Sequence, residues 1–450
     1  MLTYADKNID DLIRNEAIAL RPGETTNYDP LIAAIGERHF VLIGEASHGT
    51  HEFYRERAQI TKRLIQEKGF DAVAVEADFP DAYRVNRYVK RESDDKDALQ
   101  SLEGFKRFPQ WMWRNADVLD FIGWLRTYND DLAANKPKIG FYGLDLYSLH
   151  ASMEAVLGYL KKVDPEGAAR ARERYSCFDH FGEDTQSYGY AAAFGIAESC
   201  EREVLDQLVE LHRRSSELAM RDGRVARDDF FFAQQNARLV KNAEEYYRTM
   251  YRSDVSSWNL RDRHMSETLS ALDSHLTTEN GRPAKIVIWE HNSHLGDARA
   301  TEMGRRGEWN VGQLAREHYG DDCFLIGFTT HHGTVTAATN WDDPADRKRV
   351  RPGLRGSYEE LFHRIGRERF MLITAENQRL KDEMREPLLE RAIGVIYRPE
   401  TERQSHYFKA RIAEQFDAVI HIDETRAVQP LERNAKWEKG EVEETFPFGV

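Results

Sequence analysis

The chain has 450 residues, 41% of them hydrophobic, and a formal net charge of -14, so it can bury a large core and has room for more than one domain. Its basic residues are interspersed and form no stripe for a phosphate backbone, which argues against a nucleic-acid partner. No apolar segment approaches the roughly 20 residues that span a bilayer, and MLTYADKNIDDLIRNEAIAL has acids where a secretion signal is basic; neither a membrane partner nor export is expected, which leaves a cytoplasmic location.

Residues Ile9 to Leu20 and Tyr28 to Glu37 read as lead-in helices, with Arg21-Pro22-Gly23 breaking between them. Val41-Leu42-Ile43 is an apolar run ending in Gly44-Glu45, the pattern of a buried strand with a carboxylate at its carboxyl end. His48 follows three residues on. Thr50 is placed to cap a helix carrying Phe53, Ile60 and Leu64 on one face, and Arg57, in phase with them, is directed inward. Asp71 to Val75 repeats the pattern and ends in Glu76, with a helix over Pro80 to Lys90. In Phe108 to Asn115, Trp111, Trp113 and Arg114 have the composition of an aromatic pocket wall and equally of a core cluster. After a helix over Val118 to Asp131, a third strand runs from Lys138 and ends in Asp145.

From Ser148 to about Thr278 the strand-like runs vanish and 3.6-residue periodicity takes over, in helices over Ser148 to Lys162, Tyr190 to Met220, Asp228 to Tyr251 and Ser256 to Leu276. The last puts Asp262 on an apolar face with Trp258, Met265, Leu269 and Leu272, beside Arg261, where a buried ion pair is the plain reading. Cys177, Cys200 and Cys323 are too few and too scattered for a disulfide framework or a thiolate metal site and read as thiols. A fourth strand, Lys285 to Trp289, stops at Glu290-His291-Asn292-Ser293-His294, whose two histidines can reach one cavity. Cys323 to Phe328 is a fifth strand, followed by a turn over Thr329 to Gly333 and a short strand from Thr334 to Ala337; His331 is expected to face the site and His332 to face away. Trp341 to Gly356 reads as a loop. Strands at Phe370 to Thr374, Gly394 to Tyr397 and Ala418 to Ile422 alternate with helices at Tyr358 to Ile365 and Gln404 to Gln415, before a polar tail from Pro430.

This order predicts an α/β fold, a three-layer α/β/α arrangement with a largely parallel sheet, in which 1–147 and 281–450 form the core and 148–280 an all-helical insert. Ligands of open parallel sheets sit beyond the carboxyl ends of the strands, so Glu45, His48, Arg57, Glu76, Asp145, His291 and His294 are expected to share one cleft. Ser47 does not stand in a GxSxG elbow, and Gly44 to Gly49 lacks the lysine and spacing of a phosphate loop. Water activated by histidine remains, with a carboxylate behind the ring to fix its tautomer and Arg57 with His291 or His294 to meet the oxyanion. The competing reading makes Glu45, His48, Glu76, His291 and His294 ligands of a water-activating metal; Arg57 in the same cavity would repel the ion, and no cofactor is expected.

GEASHGTHEFYRER followed by AVEADFPDAYRVNRYV resembles the opening of the erythromycin esterase family. Arg261-Asp262-Arg263-His264-Met265 matches that family's RDxxM pattern and His291 to His294 its HNxH segment, so the resemblance spans nearly the whole chain. It implies an erythromycin esterase/ChaN-like fold and hydrolysis of a carboxylic ester, with the lactone of a macrolide antibiotic as the candidate small-molecule substrate. It maps the catalytic histidine onto His48, acids onto Glu45 and Glu76, an arginine onto Arg57 and a histidine onto His291, with His294 close by, and it tips Trp111 toward the pocket rim. Trp113, Asp145, Arg261 and His331 complete the expected substrate-binding set. Because proteins of similar core in the wider superfamily bind haem, a haem- or iron-binding module is the non-enzymatic alternative.

Overall fold

A computed structural model describes residues 4–21, 23–182, 184–214 and 223–440. Its centre is a nine-stranded sheet built from β1 (Ile18–Ala19), β2 (Phe40–Ile43), β3 (Ala72–Asp78), β4 (Gly140–Asp145), β5 (Ile286–Trp289), β6 (Cys323–Ala337), β7 (Asp346–Val350), β8 (Arg369–Ile373) and β11 (Ala418–Thr425). The order is β1-β8-β11-β6-β2-β5-β3-β4, with β7 on the far half of β6. From β4 to β11 every neighbouring pair is parallel, and β8, β1 and β7 join antiparallel. The central strands β2 and β5 are buried at every residue, which is why they read as unbroken apolar runs rather than alternating ones. A separate hairpin pairs β9 (Leu388–Arg391) with β10 (Tyr407–Ala410).

Two apolar cores cover the two faces. On one, Phe53, Ile60 and Leu64 from the helix His51–Lys68 and Phe121, Ile122 and Leu125 from the helix Ala116–Asp131 pack on Val41, Val73 and Val287. On the other, Leu42, Ala74 and Ile288 meet Met265, Leu269 and Leu272 of the helix Asp254–Asn280 and, beyond it, Val240 of the helix Gly223–Thr249. Between β4 and β5 the described chain carries helices joined by short connections and contains no strand. No helix among the described residues is long and apolar enough to cross a membrane.

Several expected elements differ. The turn over Thr329 to Gly333 is absent: β6 runs unbroken for 15 residues because its first half pairs with β2 and β11, and Gly333, at φ 137°, lies where β7 takes over. The loop after Trp341 therefore contains a strand, β7. Gly394 to Tyr397 forms only isolated bridges, and the strand there is β9. The expected helix over Gln404 to Gln415 is cut by β10, since Tyr407 and Phe408 favour a strand and find a partner in β9. The helix from Tyr190 is two, Thr185–Ala193 and Glu201–Arg213, and its expected end at 215–220 lies outside the described residues. Cys177 and Cys200, read as thiols, form a disulfide with Cα atoms 5.9 Å apart; Tyr188 helps bring them together, its hydroxyl accepting the Cys200 N–H at 2.9 Å and donating to Glu244 at 2.7 Å. The polar tail is docked as far as Trp437, whose indole donates to Thr336 Oγ1 at 2.8 Å; residues 441–450 lie outside the described residues.

Candidate active site

The carboxyl ends of four adjacent strands, β4, β3, β5 and β2, carry Asp145, Glu76, His291 and Glu45 with His48. Asn292 ties three strand ends together. Its N–H donates to Glu45 O at 2.8 Å, its Nδ2 to Phe328 O at 2.7 Å, and its Oδ1 accepts from Phe328 N at 3.3 Å. A Cβ at Gly44 would collide with that Oδ1, so glycine is required for the approach.

His48 Nδ1 lies 3.0 Å from Glu45 Oε1, and the other oxygen, Oε2, is 2.7 Å from Arg57 Nη2. Arg57 is fully buried, its guanidinium 4.5 Å from the centre of the Tyr54 ring and 5.1 Å from that of Trp289. It does not line the cavity. The expectation that Arg57 meets an oxyanion is therefore corrected: Glu45 stands between Arg57 and His48, and the arginine serves as the carboxylate's counter-ion. His48 Nε2 is 3.9 Å from Glu76 Oε1. Burial depresses the His48 pKa, but the charges of Glu76 and Glu45 and the Glu45 hydrogen bond outweigh it, and the net direction is upward.

Arg107, paired with Asp78 at 2.9 Å, and Arg306 line the cavity, but the cation nearest these strand-end groups is Arg261, from the helix Asp254–Asn280. Its Nε and Nη2 donate to Asp145 at 3.0 and 2.8 Å, Nη2 also reaches Glu76 Oε1 at 2.7 Å, and Nη1 contacts His294 Nε2 at 2.9 Å. His294 Nδ1 lies 2.9 Å from Asp262 Oδ1, so its proton faces Asp262 and its Nε2 accepts from Arg261; it has no N–H to offer an oxyanion. Its ring stacks on Trp258 at 4.4 Å. Burial would raise Glu76, but His294, His48 and Arg261 hold its carboxyl far below the usual carboxylate range.

His291 differs. Its Nδ1 accepts the Ser293 N–H at 3.2 Å, which leaves the proton on Nε2, an atom without a partner of hydrogen-bond geometry. The rings of His291 and His48 are 4.8 Å apart. Burial, reinforced by His48, pushes the His291 pKa well down. A neutral donor thus stands beside the candidate base. Glu290, next along the chain, is fully buried outside the cavity, its carboxyl pushed up by burial and the Glu76 charge.

These groups open into a cavity of about 640 Å³ lined by Trp113, Tyr147, Trp258, Trp309 and Trp341, with Asp78 and Asp81 on one side. Trp111 does not line it. Expected at the rim, it is buried in the core, because the 3-10 turn Gln110–Met112 sends side chains two positions apart in different directions. His331 also lies elsewhere, stacked on His363. Residues that sequence reasoning missed include Asp262 as the partner of His294, although its helical phase had put it inside, and Ser293, whose N–H sets the His291 tautomer. Nothing in the local sequence marked Trp309.

Histidines oriented by carboxylates at the strand ends of an α/β/α sheet thus face one large cavity. The chain belongs to the erythromycin esterase family, whose sequence profile matches residues 65–425. It is 23% identical over 445 residues to YbfO of Bacillus subtilis (strain 168), which carries a provisional hydrolase name, covering 93% of this chain and 91% of YbfO. It is 22% identical over 326 residues to the erythromycin esterase type II of Escherichia coli, covering 69% and 74% of the two chains. Among solved structures, it is similar to a Bacillus cereus protein (TM-score 0.78, 20% identity, 96% of this chain and 100% of that one). It is also similar to a histidine-to-asparagine mutant of the erythromycin esterase EreC in its open conformation (TM-score 0.63, 17% identity, 91% and 96%).

Proposed function

We propose that this hydrolase cleaves a carboxylic ester by direct attack of water, with His48 as general base. The observation that carries the reading is the relay Arg57–Glu45–His48, which fixes the Nδ1 proton and leaves Nε2 for a water at the cavity. As the water attacks, His48 takes its proton, Glu45 and Glu76 stabilise the imidazolium, and the Nε2–H of His291 donates to the carbonyl oxygen as charge develops on it. Arg261 adds fixed positive charge nearby and orients Glu76 and Asp145. It also disfavours a metal among these residues, because its guanidinium already bonds the carboxylates an ion would use.

The substrate we propose is a bulky ester, with a macrolide lactone as first candidate, since esterases of the family named for erythromycin are among the relatives and the cavity is broad and aromatic. Residues 148–280 would act as an insert on a core formed by 1–147 and 281–450, contributing Trp258 and Arg261 to the wall. Hydrolysis assays across macrolides and small acyl esters are expected to give the higher kcat/KM for the bulky substrates; a preference for small anionic esters would sink this part of the reading. Chelation is expected to leave turnover intact, and activity restored only by added metal would move these residues to metal ligation. A Soret band on addition of haem would favour the non-enzymatic alternative.

Two pH effects follow. The base must be neutral, and His48 is raised above the ordinary imidazole value of 6.5, so kcat/KM should climb with pH through a limb lying above 6.5. Asp81, pushed up to about 8 by burial and by Asp78, lies on the cavity wall. It loses its proton as pH rises through about 8, so KM for a cationic ester should fall there while KM for its neutral isostere stays flat. Parallel pH profiles for the pair check both.

A further inference from the structure

Away from this cavity, five titratable groups meet where the middle of β6 and of β11 runs beneath the helix Tyr358–Arg364: His331 and His332 on β6, His421 and Asp423 on β11, and His363 on the helix. The hydrolytic reaction uses none of them. We propose that His331, His332 and Asp423 bind a divalent transition-metal ion of the zinc class, at a site separate from the hydrolytic one.

One potential ligand atom from each of the three lies within 4.8 Å of the others, and the two imidazole Nδ1 atoms are already 3.0 Å apart. An ion held about 2.0–2.2 Å from nitrogen and oxygen ligands needs donors roughly 3–3.5 Å apart, so only the carboxylate has to close. Two imidazole nitrogens and one carboxylate suit Zn²⁺, Co²⁺ or Ni²⁺ better than the oxygen-seeking Mg²⁺ or Ca²⁺, and three protein ligands leave a position for water.

The surroundings orient the ligands. His363 Nδ1 donates to Asp423 Oδ1 at 2.7 Å, and His421 Nε2 lies 3.4 Å from the same oxygen while its Nδ1 meets Thr329 Oγ1 at 2.9 Å. Both imidazoles thus hold Oδ1, and Oδ2 is the ligand atom we assign; this is the outer-shell imidazole–carboxylate pairing that fixes metal ligands elsewhere. The His331 ring stacks on the parallel His363 ring, 3.8 Å away, and lies close to the backbone at Gly353, where a Cβ would come within 3.1 Å of His331 Cδ2. The His331 carbonyl accepts from Arg391 Nη1 at 3.2 Å, at the start of the segment whose Ala392 and Gly394 line the hydrolytic cavity. An ion here would pin β6 to β11 and steady that wall without touching the substrate.

Tag-free protein, stripped with a chelator, reloaded with Zn²⁺ and gel-filtered, is expected to retain stoichiometric zinc and to melt at a higher temperature than the stripped form. His332→Gln should retain almost none and lose the zinc-dependent rise in Tm, with ester hydrolysis unchanged. Asp423→Asn should likewise lose the ion. Should either variant fail to fold, X-ray absorption at the zinc edge of the wild type decides: two imidazole ligands with oxygen support the site, and any other ligand set overturns it. Failure of the wild type to hold zinc overturns it too, as does zinc kept by His332→Gln and lost by His291→Asn, which would put the ion in the hydrolytic cavity.

Discussion

His48→Asn is expected to lower kcat/KM for ester hydrolysis by about 10²- to 10⁴-fold, the range that general-base assistance supplies, with ligand affinity nearly unchanged. Asparagine keeps a hydrogen-bonding side chain that can face Glu45, but it cannot take and return a proton near neutral pH, so only the proton-transfer contribution disappears. Titration calorimetry with a non-hydrolysed ligand, alongside kcat/KM on a proven ester, separates the two quantities. Near-wild-type turnover in His48→Asn together with an inactive His291→Asn would exchange the two histidines' roles.

The second large effect concerns stability. Arg57→Met should cost about 3–5 kcal/mol, because it leaves Glu45 buried and charged with no counter-ion, and it should also depress activity, since the carboxylate that accepts the His48 Nδ1 hydrogen bond is then no longer held in place. Urea denaturation reads the first consequence. Adding Glu45→Gln to Arg57→Met should restore part of the lost stability while activity stays low, because the unpaired charge is gone but the orienting carboxylate is not replaced. A double variant less stable than Arg57→Met alone would mean that packing against Tyr54 and Trp289, rather than charge pairing, sets the arginine's contribution.

These two residues also mark what could be read from the sequence. The run ending at Glu45, the repeat ending at Glu76, and the ends at Asp145 and His291 were legible because buried parallel strands are continuous apolar words with polar stops. Helical phase put Arg57 and Asp262 on inward faces correctly. Phase gives direction and not depth, so it could not reveal that Glu45 intervenes between Arg57 and the cavity, or that Asp262 meets His294 from 32 residues away. The pairing of β9 with β10 and the length of β6 depend on partners distant in sequence, and there local signals pointed to a helix and a turn. Trp111 and Trp113 looked alike, and both are buried in the same core; only the geometry of the turn that holds Trp111 lets Trp113 alone also reach the cavity.

Arg261 binds two carboxylates on core strands from its place in the last helix before β5. That arrangement limits how such proteins can diversify. The helices between β4 and β5 look like a cassette that recombination could exchange to offer a new substrate wall, yet an incoming cassette without an arginine and an acid at the places of Arg261 and Asp262 would strand Glu76, Asp145 and His294 without their partners. Chimaeras of distant relatives are therefore expected to fold when the junction falls before the final helix, so that its amino-acid pair stays with the sheet it serves, and to fail when the whole helical run is traded for one without that pair.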